Sequence, residues 1–127
     1  MKGFSLIELL ITISIIGILM AMSLPLYSHY VTTERRIEAE TTLMQLAASL
    51  EEYDIIHHTY QGASLQVLNY PELIAHDSYK LTITDISDSA FTIAAEPLSN
   101  NDACGILTLN ALGVKAISGK NQITDCW

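Results

Sequence analysis

Positive charge is scarce in this chain. Six Lys and Arg stand against fourteen Asp and Glu in 127 residues, for a formal net charge of −8. Phosphate contact requires Lys and Arg, so a broad nucleic-acid surface is excluded; Lys2, Arg35, Arg36, Lys80, Lys115 and Lys120 allow at most a small local patch. Catalytic groupings are missing too. The carboxylates are scattered, the hydroxyls and histidines have no acid–base framework, and no glycine-rich phosphate loop occurs. The expectation is a protein that is not an enzyme and uses no cofactor or metal. Cysteine is limited to Cys104 and Cys126. Behind a membrane-entering N-terminus these read as one disulfide in an oxidising compartment, the alternative being two free buried thiols in a cytosolic protein. Closing a loop of about 22 residues contributes about 3.4 kcal/mol in the chain-entropy model.

What the chain has in excess is apolar sequence at its start. From Leu9 to Leu24 no residue is charged. Phe4 to Tyr27 is about 24 residues, or about 36 Å of helix, enough to cross a bilayer core of about 30 Å. A cleaved secretory signal is the plain rival. The length of the run, the interruption by Glu8 and the lack of a small-x-small site before Pro25 favour a permanent anchor. The Lys/Arg count, Lys2 on one side and Arg35 and Arg36 on the other, favours a cytoplasmic C-terminus, whereas the cysteine pair argues for the opposite orientation.

Glu8 is anomalous in such a helix. A charged acid at the bilayer centre costs about 2.5–3.5 kcal/mol on insertion scales, and no Lys or Arg lies on the apolar run to pair with it. Its partner is expected from another chain, a lipid head group or a new amino terminus. Gly17 weakens a helix by about 1 kcal/mol relative to Ala, and Pro25 removes the donor that would bond to Ala21 and favours a kink.

Beyond Ser28 the pattern stays helical to about Ile56. Ala39, Leu43, Leu46, Leu50 and Tyr53 step by four, three, four and three, forming one apolar stripe that needs a covering layer. Gly62 marks the exit. Asp54, His57 and His58 fall near one turn; solvent-facing histidines at a frayed helix end are a plainer reading than a metal site. An irregular connection follows, with a short helical turn at Pro71–Ala75. The period then changes to two. Tyr79, Leu81 and Ile83 alternate with polar residues, as do Phe91, Ile93 and Ala95 after the turn Ser87–Ser89. Pro97–Asp102 reads as a loop, Cys104–Asn110 as a third strand and Val114–Ile117 as a fourth. The fold expected is α+β: a long helix packed on a four-stranded antiparallel sheet, with a C-terminal loop bounded by the cysteines.

Two stretches carry a family resemblance. Lys2-Gly3-Phe4-Ser5-Leu6-Ile7-Glu8-Leu9 resembles the processing site of type IV prepilins. Cys104-Gly105-Ile106-Leu107-Thr108-Leu109 with Gly113-Val114-Lys115 and Cys126-Trp127 is similar to the disulfide-bounded loop of type IV pilins of the PilE/ComP-like group. The resemblance implies a leader at residues 1–3, a hydrophobic transmembrane or filament-core helix at 4–27 and a globular pilin domain at 28–127. It implies cleavage between Gly3 and Phe4 by a prepilin peptidase, N-methylation of Phe4, and pairing of Glu8 with the Phe4 amine of a neighbouring subunit. Gly17 and Pro25 also match the family pattern, which implies that the helix between them loses structure on packing. The partners implied are other pilin subunits, the peptidase and the pilus assembly machinery. The location implied is the bacterial inner membrane as a single-pass precursor, then the extracellular pilus, serving adhesion, twitching motility or natural transformation. Three alternatives share some of these features: a DNA-uptake receptor pilin using Lys80, Lys115 and Lys120, a type II secretion pseudopilin, and an uncleaved membrane-anchored periplasmic domain.

Overall fold

The structure is a computed structural model that describes residues 2–100 and 102–127, so Met1 of the leader and Asn101 of the 97–102 loop lie outside the described residues. It divides into two units, Met1–Glu34 and Arg35–Trp127. Helix α1, Leu6–His57, contributes to both.

In the first unit the helix from Leu9 to Leu26 shows apolar residues on all sides and is uncovered. Ile11, Ile15, Leu19 and Leu24 are each more than half exposed. The hydroxyls within its apolar run bond to the helix itself: Thr12 Oγ1 donates to Glu8 O, Ser14 Oγ to Leu10 O and Ser23 Oγ to Met20 O, at 2.7–2.9 Å. The segment from Gly17 through Pro25 is helical, although Pro25 lacks the N–H that Ala21 O would accept.

In the second unit α1 becomes one-sided. Ala39, Leu43, Leu46 and Leu50 are fully buried and Tyr53 packs at the edge of the same core, as the four-three spacing predicts. Each buried leucine contributes about 1.5–3 kcal/mol relative to an exposed one. The helix ends where His58 takes a left-handed φ of 59°, with its N–H donating to Asp54 O at 2.7 Å; Gly62, at φ 88°, completes the turn four residues later.

The stripe is covered by an antiparallel meander of five strands in sequential order: β1 (Leu73–Ile74), β2 (Tyr79–Ile86), β3 (Phe91–Pro97), β4 (Leu107–Asn110) and β5 (Lys115–Ile117). Leu81, Ala95 and Leu107 stand cross-strand from one another on the buried face, followed by Ile83, Ile93 and Leu109. A bulge between Ile83 and Asp85 shifts the register, and Thr84 Oγ1 there donates to Thr92 O.

The sheet corrects three expectations. It has five strands rather than four, and residues 71–75, read as a helical turn, contain β1. Pro71 favours extended backbone ahead of it. Ala75, His76 and Asp77, all left-handed at φ 53–60°, then reverse the chain so that Ile74 pairs with Tyr79. The third strand also starts later than Cys104, at Leu107, because Gly105 at φ 65° turns the chain first. A short helix α2, Ile123–Cys126, precedes the C-terminal Trp127.

Candidate functional site

The N-terminal head is the first candidate. Residues 2–5 are not helical, Gly3 has open space around its α-carbon, and Phe4 is 93 % exposed. The Gly3–Phe4 bond is therefore accessible and outside secondary structure. Ser5 caps the helix that follows. Its Oγ accepts from Glu8 N–H at 3.3 Å, while Glu8 Oε2 accepts from Ser5 N–H at 2.9 Å. This is a reciprocal capping box, in which two otherwise unpaired backbone donors are satisfied and a carboxylate faces the positive end of the helix. Glu8 thus accepts a backbone hydrogen bond within its own chain, in addition to whatever charge partner it takes. Sequence reasoning missed Ser5, although the Ser-x-x-Glu spacing is the signature of this cap.

The second candidate lies around the disulfide. Cys104 and Cys126 are bonded, with their α-carbons 5.8 Å apart, and both are buried. Asp102 anchors the start of the ring. Its Oδ1 accepts from Cys104 N–H at 2.9 Å and lies 3.2 Å from Arg36 Nη2, and its Oδ2 accepts from Tyr79 OH at 2.8 Å. One carboxylate, 6 % exposed, joins α1, β2 and the disulfide loop. Burial pushes its pKa up, but the bonds from Cys104 N–H and Tyr79 OH and the Arg36 charge outweigh that and hold it below the usual carboxylate range. Burial and the bond to Asp102 push the Tyr79 hydroxyl up, so it remains a donor. One turn along the helix from Arg36, burial raises Glu40, opposed by Arg36 and Lys115. Inside the ring, Gly119 is packed so closely that a β-carbon there would collide with Ala103 O.

The three candidate DNA-contact lysines are not gathered into one patch. Lys80 is cross-strand from Glu96 on the outward face of the sheet. Lys115 pairs in register with Leu109, on the opposite face, and its Nζ lies 5.1 Å from the centre of the Trp127 ring. β3 and β4 lie between these two strands, a separation of about 14 Å at sheet spacing. Lys120 follows β5, with its N–H donating to Ala103 O. Trp127 Nε1 in turn donates to Ala116 O on the edge strand.

His57 stacks on Tyr53, with ring centres 4.0 Å apart, and its Nδ1 is 3.0 Å from Tyr53 O. Among the described residues, no three His, Cys, Asp or Glu side chains form a group able to hold a metal ion, and Asp54, His57 and His58 are not brought together as one.

Comparison with known proteins adds to this geometry. Residues 1–24 match the family model described as the prokaryotic N-terminal methylation motif. Residues 25–108 match the model described as type IV minor pilin ComP, DNA uptake sequence receptor. A fimbrial protein of Moraxella nonliquefaciens is 31 % identical, over 95 % of this chain and 92 % of its own length. A fimbrial protein of Neisseria meningitidis is 39 % identical over 48 % of this chain and 36 % of its own length. The crystal structure of the non-core minor pilin PilV of Neisseria meningitidis is similar with a TM-score of 0.55 and 28 % identity, covering 69 % of this chain and 90 % of that one.

Proposed function

The chain belongs to the type IV pilins, and on that premise we propose that it is a structural pilus subunit, held first in the bacterial inner membrane and then in an extracellular filament by the same hydrophobic helix. The observation that carries the reading is the exposed, non-helical Gly3–Phe4 junction directly ahead of a capped, uncovered apolar helix. A prepilin peptidase cutting there removes residues 1–3 and frees the Phe4 amine for methylation. The pilus assembly machinery then transfers the helix from lipid to fibre, keeping its apolar surface away from water in both places.

In this reading Glu8 has two tasks on two oxygens. Oε2 closes the cap on Ser5, while Oε1 has no partner among the described residues and is open to the Phe4 amine of a neighbouring subunit. Desolvation cancels part of the attraction, so the pair sets register between subunits more than it adds stability. Gly17 and Pro25 mark the ends of the stretch that loses helical structure during packing.

Mass spectrometry of the N-terminus of the mature protein tests the processing step. N-methylphenylalanine at Phe4 is expected, and an intact Met1 overturns the reading. Replacing Glu8 with Ala tests the pairing: reduced incorporation into pili is expected, and unchanged incorporation removes that role.

A second reading, reception of DNA during uptake, is favoured by the family model matched over residues 25–108. The acidic chain confines it to few cations. Of the three lysines, Lys115 and Lys120 lie in the disulfide-bounded segment and Lys80 on the far side of the sheet. Binding to duplex DNA that weakens steeply with salt supports it; salt-independent or absent binding rejects it.

A further inference from the structure

The β4–β5 turn holds its shape firmly and displays an apolar tip. Asn110 organises it: its Oδ1 accepts from Leu112 N–H at 3.0 Å and Val114 N–H at 2.9 Å, and its main-chain oxygen accepts from Gly113 N–H at 2.9 Å. Gly113 supplies the left-handed φ of 78° that the turn requires. Ala111 N–H fixes the base of the turn by donating to Phe91 O. At the apex Leu112 is 88 % exposed, and Val114 beside it is 56 % exposed. An ordered loop that presents a leucine wholly to water loses little conformational entropy when that leucine is buried by a partner.

At the other edge of the sheet lies a concavity of about 470 Å³, lined by the apolar side chains of Leu65, Ile83 and Ile86 together with polar ones, among them Gln66, Glu72 and Lys80. It exists because β1 is so short. Leu81 N–H donates to Glu72 O, and beyond that bond the chain carries Pro71, which has no N–H to offer. Ile83, two residues along β2, turns its backbone groups to the side where β1 no longer runs.

Charge separates the two surfaces as well. Residues 63–97 hold Glu72, Asp77, Asp85, Asp88 and Glu96 against Lys80 alone. The disulfide-bounded segment carrying the tip holds Lys115 and Lys120 against Asp125, a net balance of +1. Because β3 and β4 stand between them, the tip cannot reach the concavity of its own molecule.

We propose that the Leu112–Val114 tip of one copy seats in the β2-edge groove of a second copy, with Lys115 and Lys120 brought toward its acidic surroundings. The contact is heterologous. Each copy presents one knob and one groove, so the contact runs head to tail and, with a rotation that does not close into a ring, builds a filament rather than a two-fold dimer. The proposal rests on the reading of this chain as a pilus subunit and adds a contact between globular domains to the packing of the apolar helices.

Cross-linking tests it in cells that express the full-length chain as their only pilin. All cysteines of the described chain are in the Cys104–Cys126 disulfide, so introduced thiols are the only free ones. Leu112→Cys and Gln66→Cys, on the tip and in the groove wall, are made as separate variants and co-expressed. A short thiol cross-linker applied to sheared filaments should give dimers from the mixture and none from either variant alone. The double variant should give a ladder of multimers. Filaments that assemble from the mixture without a cross-linked product overturn the contact. Absence of the unmodified chain from sheared filaments, even when the cells' other pilins are restored, overturns the pilus reading; filaments that form only with those other pilins overturn the self-contact alone. As an independent check, Leu112→Asp should lower filament recovery at least about tenfold while Leu112→Met does not. Full recovery with Leu112→Asp, its native disulfide intact, also overturns the contact.

Discussion

Two halves of one helix illustrate how differently apolar sequence can be used. From Leu9 to Leu26, α1 carries no charge and shows apolar residues around its whole circumference, with Leu19 62 % exposed and Leu24 71 % exposed. After Arg35, apolar residues contract to a stripe in which Leu43, Leu46 and Leu50 are wholly buried by the sheet. The second half carries its own partner in the chain. The first has none there, so its surface is complete only in lipid or against other subunits. The polar contacts divide likewise: among the described residues those of the first half are local, such as the Ser5–Glu8 cap, whereas Arg36 is tied through Asp102 to β2 and the disulfide.

That contrast can be broken most forcefully at Asp102. Asp102→Ala leaves Arg36 without its counter-charge and Tyr79 without its acceptor, and should lower the stability of the full chain in detergent by about 3–5 kcal/mol in urea unfolding. The unmodified protein should show the same dependence through pH. Because folding depresses the Asp102 pKa, its contribution is complete above the ordinary carboxylate pKa and declines as pH falls through the lower folded value. Asp102→Asn should flatten that acid limb; an unchanged acid limb would remove Asp102 as its source.

Paired truncations sharpen the comparison. Leu46→Ala should destabilise by about 2–5 kcal/mol, since it opens a cavity in a closed core. Leu19→Ala in the same detergent should stay within about 0.5 kcal/mol of the unmodified chain. Equal losses at the two positions would mean that the halves are not packed as described. The smallest effect is at the cap. Ser5→Ala should weaken the first helical turn by about 1 kcal/mol, read as roughly fivefold faster amide exchange at Glu8 with global unfolding unchanged.

Features that repeat were legible before the structure. The four-three spacing of Ala39, Leu43, Leu46 and Leu50 identified the buried face because a helix brings those positions together whatever lies opposite. Alternation around Leu81 and Ile93 identified the central strands for the same reason. β1 escaped because two residues cannot display a period, and its turn is made by Ala75, His76 and Asp77 in a conformation usually associated with glycine. Asp102 looked like a polar loop residue; its partners Arg36 and Tyr79 lie far away in sequence, and no local pattern links them. The Ser5–Glu8 cap was readable from spacing alone, but the apolar run that followed directed the question toward an external partner for Glu8.

The hydroxyls of the first half have a consequence for how freely it moves. Thr12, Ser14 and Ser23 each donate to a carbonyl of their own helix, so these polar groups make no demand on whatever surrounds them. A helix bonded to its neighbours through such groups would have to exchange partners each time it left one setting for another. This one changes only apolar neighbours for other apolar neighbours. Where the helix stays intact ahead of Gly17, a change of apolar surroundings therefore breaks no hydrogen bond made by Thr12 or Ser14.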